Sequence, residues 1–162
     1  MIGAVASTEN SAGATRLSSS AEWLGYAAVA PLVLCLAGVG LLPSYAAQEL
    51  AQRIAIAWGA VLLAACGALH LGLTLAGGLA PEARRLGAAV LPAVLGAAAI
   101  VVGGQRALAL LVVGFGGFWL YEHRSLGSEL PQDYLALRRQ LTLATCMLLT
   151  FTMFISDSAG LT

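Results

Sequence analysis

His70 is the only residue titrating near neutral pH that falls inside an expected membrane span, because imidazole is the side-chain type that changes charge there. Helical spacing puts Cys66 and Thr74 on its face. A histidine so placed can ligate haem, relay a proton or hydrogen-bond a quinone carbonyl; it can equally bond a neighbouring helix's hydroxyl or carbonyl. Farther along, Tyr134, Arg138, Thr142, Cys146 and Thr150 recur every fourth residue. That stripe suits a lipid phosphate or quinone head, or else a helix contact stitched by hydroxyls and anchored by an arginine. The sharpest expectation falls on Arg138, whose planar guanidinium would grip an anionic head group or a partner carboxylate through paired hydrogen bonds. Glu122, His123 and Arg124 set acid, base and cation side by side, a combination fit for proton chemistry or for an interfacial helix cap. The candidate binding residues are therefore His70, Tyr134, Arg138, Thr142 and Glu122. None is assigned a catalytic or metal-ligating role, and no cofactor is firmly implied.

Other motifs point to packing. Gly114, Gly116 and Gly117 lie in an apolar run without a following lysine, so they read as close helix contact rather than a phosphate loop. Cys35, Cys66 and Cys146 form no CxxC pair and read as small packing residues.

The elements that must hold these residues follow from composition. With 59% hydrophobic and 10% charged residues the chain cannot cover a water-facing surface,. Its net charge of zero, with eight arginines and no lysine, offers no basic block for nucleic acid,. Long uncharged runs separate the charges, as they must where a charge at the bilayer centre costs about 2.5–3.5 kcal/mol. The expected fold is an all-α membrane protein, a bundle of about five transmembrane helices over 23–42, 54–79, 86–102, 105–122 and 135–155. A flexible tail, 1–21, precedes this single domain of residues 22–156, and a short tail, 157–162, follows it. Pro31 interrupts the first span and Pro43 ends it. The second is long enough to be tilted, and its Ala60, Ala64, Ala68, Gly72 and Ala76 suggest a small-residue packing seam with Leu63 facing lipid. The fourth has an apolar run of about 15 residues, or ~23 Å, so a re-entrant hairpin competes with a full crossing unless the helix extends through its flanks. The N-terminal tail and the second and fourth loops hold Arg16, Arg84, Arg85, Arg124, Arg138 and Arg139, against Arg53 and Arg106 on the other side. The positive-inside rule then predicts a cytoplasmic N-terminus and a periplasmic C-terminus in a bacterial inner membrane, with the mitochondrial inner membrane as the alternative.

Three stretches carry a family resemblance: Leu24-Gly25-Tyr26 with Pro31; Trp58-Gly59-Ala60 with Gly67, His70 and Gly72; and Leu130-Pro131 with Tyr134, Leu137, Arg138, Leu141 and Thr142. The chain resembles the transmembrane protein 69-like family of small proteobacterial and mitochondrial membrane proteins, a domain of unknown function. Where members usually have tryptophan after the histidine, this sequence has Leu71, and Ala64, Ala65 and Cys66 replace a more polar centre. The resemblance implies a membrane bundle and supplies no reaction. The expected function is a non-catalytic accessory or assembly component, packed in the lipid bilayer against other membrane-protein subunits of a larger complex, respiratory or photosynthetic. A binder or enzyme holding a quinone, haem or lipid near His70 and Arg138 is the alternative, and a small transporter the third reading.

Overall fold

The computed structural model describes residues 6–75, 83–126 and 132–161, and of residues 6–22, 73, 83–85, 126 and 132–134 it describes the backbone alone. They form α1 (Ala6–Leu41), α2 (Tyr45–Leu75), α3 (Ala83–Val102), α4 (Gly104–Leu126) and α5 (Gln132–Ser158), with no strand among the described residues. The expected all-α membrane fold is what the chain adopts. Three helices are long and apolar enough to cross a membrane, over Trp23–Leu41, Tyr45–Gly72 and Leu135–Ser158, and α3 has a shorter apolar stretch, Leu86–Val102. At 23 residues α4 reaches about 35 Å, so the short apolar run lies within a helix of spanning length,.

Local chemistry sets the ends. Pro43 stops α1, and Ser44 caps α2 by accepting the Ala47 N–H at 3.3 Å, while the Gln48 amide donates to the Leu42 carbonyl at 2.8 Å,. The second helix thus begins at Tyr45 rather than near residue 54. An apolar-run criterion halts at Glu49 and Arg53, but these pair with each other at 2.6 Å on the exposed side of the first turns,. Gly103 and Gly104, at φ 66° and 59°, turn the chain between α3 and α4, a conformation that side chains with a Cβ resist,.

The first helix begins well before the first apolar span, and the last residues turn back on the bundle. The backbone of the N-terminal segment is already helical from Ala6, since Ala- and Ser-rich sequence lacks any proline before Pro31 to break a helix,. At the other end Gly160, φ 72°, donates to the Asp157 carbonyl, and Leu161 N–H reaches back to Ser156. This Schellman turn folds Leu161 against Val39 and Ala51, where it is fully buried,.

α2 is the hub: it touches each of the other four helices, while α1 packs on α5 and α3–α4–α5 close the ring. Gln52, Ala55, Gly59, Leu63, Cys66 and His70 are buried at steps of three or four residues, and Ala51, Ile56, Ala60 and Gly67 widen the same buried stripe, as on a core-facing helix. The expected seam is overturned in part. Ala60 is buried, but Ala68 and Gly72 are exposed, Ala76 lies outside the described residues, and Leu63, expected to face lipid, is fully buried. A four-residue repeat advances about 400° on a helix with 100° per residue, so it drifts some 40° per step and leaves the contact within three steps. The close approach is made instead by Gly67, where a Cβ would collide with the Ala89 carbonyl oxygen, and by Gly96, where it would lie 2.9 Å from that of Ala60. On α4, Gly114 meets Leu63 as a packing glycine should, whereas a Cβ at Gly116 or Gly117 would meet nothing.

Candidate functional site

Three helices bring their core stripes to the same end of the bundle, and each stripe finishes in an ionisable residue. On α2 the stripe ends at His70. On α4, Leu108, Leu111, Phe115 and Phe118 lead to Glu122; on α5, Thr152, Leu149, Thr145 and Thr142 lead back to Arg138. Glu122 is the centre. Its side chain is 1% exposed; Oε1 lies 2.8 Å from His70 Nε2, and Oε2 accepts the Arg138 Nε–H at 3.0 Å. Phe118 separates the outer pair: its ring meets the His70 ring edge-on at 5.2 Å, and the Arg138 guanidinium carbon lies 5.9 Å from its centroid,.

This arrangement satisfies both oxygens of a carboxylate that would otherwise be costly to bury. It also answers what Arg138 pairs with. The carboxylate it meets is in its own chain, so its charge is offset internally before any anionic head group arrives. His70 directs Nε2 to that same carboxylate. Among the described residues no group of three His, Cys, Asp or Glu side chains is placed to hold a metal ion.

The other candidates separate. Thr142 is buried one turn from Arg138, whereas the Tyr134 side chain lies outside the described residues. Successive residues point about 100° apart on a helix, so Glu122 turns inward while His123 and Arg124 are exposed, His123 stacking on Trp119 at 5.7 Å. The acid, base and cation adjacent in sequence thus do not act together. The mildly polar stripe on α5 is a helix contact in its middle, with Cys146 Sγ 3.9 Å from the Val112 carbonyl, but Thr150 bonds its own helix at Cys146.

Two hollows flank the network. One, about 380 Å³, opens at the helix ends among Trp119, His123, Leu135 and Arg139. The other, about 170 Å³, is a mostly apolar cleft between α1, α2 and α5, floored by Phe115 of α4. Arg138 lines both. Gly25 brings α1 down on the cleft, for a Cβ there would lie 2.7 Å from Leu141. The Trp58 indole N–H holds α1 by donating to the Ala28 carbonyl at 2.8 Å, and the Tyr26 hydroxyl donates to Gln140 at 3.2 Å. Thr145, which the sequence did not single out, lies beside Thr142 in this cleft. The signal for it was present, since positions 142, 145, 149, 152 and 156 trace one buried face that leads back to half-buried Arg138.

A family model described as a protein of unknown function, DUF3429, matches residues 17–154. The chain belongs to this family. The match takes in His70, Glu122 and Arg138 and names no activity. Neither a curated protein nor a solved structure matches the chain.

Proposed function

We propose that this member of the DUF3429 family is a non-catalytic accessory or assembly component of a larger complex in a bacterial inner membrane, with its N-terminus in the cytoplasm. The observation that supports this most directly is the saturation of Glu122: both oxygens are engaged by His70 and Arg138. Groups so engaged tie three helices together rather than standing ready for a substrate. Outward-facing small residues favour a protein neighbour, because Ala68 and Gly72 on α2 and Gly117 on α4 are exposed and would let a foreign helix approach closely. The finer likeness to transmembrane protein 69 rests on the motifs around Tyr26, His70 and Arg138 and belongs to the same proposal.

The test is affinity purification of the full chain in mild detergent, with mass spectrometry of co-purifying proteins and an absorption spectrum. A stoichiometric membrane-protein partner is expected. A partner-free preparation, or one carrying a Soret band, would overturn the accessory role.

A further inference from the structure

The threonines of the helical spans divide into two kinds. Thr74, Thr150 and Thr152 donate to the carbonyl four residues back, at 2.7–2.9 Å, the usual way a hydroxyl is satisfied inside a membrane helix. Thr142 and Thr145 do not. They are 7% and 3% exposed, and among the described residues neither hydroxyl has a hydrogen-bond partner. Both line the 170 Å³ cleft. Among the described residues the fully enclosed side-chain atoms without a partner are Gln52 Nε2 and Ser156 Oγ; the two threonine hydroxyls are not enclosed, and on the cleft that both residues line they stand as donors for an acceptor bound there,.

Charge, depth and size narrow the occupant. Glu122 offsets the Arg138 guanidinium, so the cleft has no uncompensated cation to hold a phosphate or carboxylate, and the occupant is uncharged. Thr145 lies about 15 Å along α5 from Leu135, near the middle of the 24-residue apolar span. Lipid ester carbonyls stay at the boundary of the ~30 Å hydrocarbon core; a carbonyl that meets Thr145 belongs to a molecule dissolved in the core. The volume is well below the roughly 300–1,000 Å³ of a drug-sized ligand pocket, room for one ring with its tail left among the lipids. We infer that the cleft between α1, α2 and α5 binds a membrane-dissolved, uncharged carbonyl compound of the quinone class, its oxygens accepting hydrogen bonds from Thr142 and Thr145. This site is independent of the accessory role, and an occupied cleft is compatible with a partner on the outer faces.

The experiment uses the full chain in nanodiscs of diether phosphatidylcholine, which has no ester carbonyl, titrated with a short-chain ubiquinone. Saturable binding of one quinone per chain is expected. Thr142→Val with Thr145→Val keeps the side-chain shape and removes both hydroxyls, and at about 5-fold per lost hydrogen bond it should weaken binding about 25-fold. Thr142→Ser with Thr145→Ser keeps both hydroxyls and should retain binding, which separates loss of the donors from loss of the fold. No saturable binding, or equal affinity in the wild type and the valine variant, overturns the proposal. So does loss of quinone binding in diester nanodiscs, which would give the cleft to a lipid ester, or displacement of the quinone by short-chain phosphatidate, which would make the cleft an anion-binding site.

Discussion

Glu122→Gln removes one charge from the bundle while changing almost nothing in shape. In the native network Oε1 faces the His70 ring nitrogen at 2.8 Å and Oε2 faces the Arg138 Nε–H at 3.0 Å. Glutamine retains one oxygen, which Arg138 takes, and turns its NH₂ to His70, which can accept through Nε2 by changing tautomer. The hydrogen-bond pattern therefore survives, and what is lost is the counter-charge for a guanidinium only 13% exposed. Removing one partner of a buried pair costs about 3–5 kcal/mol. By the scaling of soluble chains of this length, about 2–4 °C per kcal/mol, the midpoint should fall by roughly 6–20 °C. The assay is thermal unfolding in detergent followed by helical circular dichroism, on Glu122→Gln, Arg138→Met and the double variant. The double variant buries neither charge and should lose less than the sum of the two single losses, by a coupling of about 1–3 kcal/mol. Additive losses from the two single substitutions, or a Glu122→Gln protein as stable as the wild type, would refute the view that this pair ties α4 to α5.

Two further outcomes follow from the packing and the charge distribution. Gly67→Ala should destabilise the chain by about 1–3 kcal/mol, because its Cβ runs into the Ala89 backbone,; Gly72→Ala, with open space around it, should be neutral or gain up to about 1 kcal/mol of helix propensity. The same unfolding assay compares them, and equal effects would mean that α2 and α3 do not meet at Gly67. In a variant with Cys35, Cys66 and Cys146 replaced by alanine, a cysteine at exposed Ser125 should escape a membrane-impermeant thiol reagent in intact cells. One at exposed Ser158 should react. The opposite pattern would invert the orientation, and identical behaviour would show that α5 does not cross.

By itself the sequence determined the solvent and the class of fold. Its long uncharged runs are stable only where water is absent, and Pro43 and the Gly103–Gly104 pair mark turns whose backbone requirements are local. It also placed His70, Glu122 and Arg138 among the residues able to do chemistry. It did not show them as one network, because the His70–Glu122 contact joins residues 52 apart and depends on how each helix is rotated about its axis. A residue count locates a side chain to within a turn, yet the 40° drift of a four-residue repeat is enough to exchange a core face for a lipid face. For that reason Leu63 and Gly72 traded expected places, and Glu122, adjacent in sequence to His123 and Arg124, turned away from both. The two unpartnered threonines are a tertiary fact of the same kind: their type is plain in the sequence, but the lack of a partner follows only from where α1, α2 and α5 leave room.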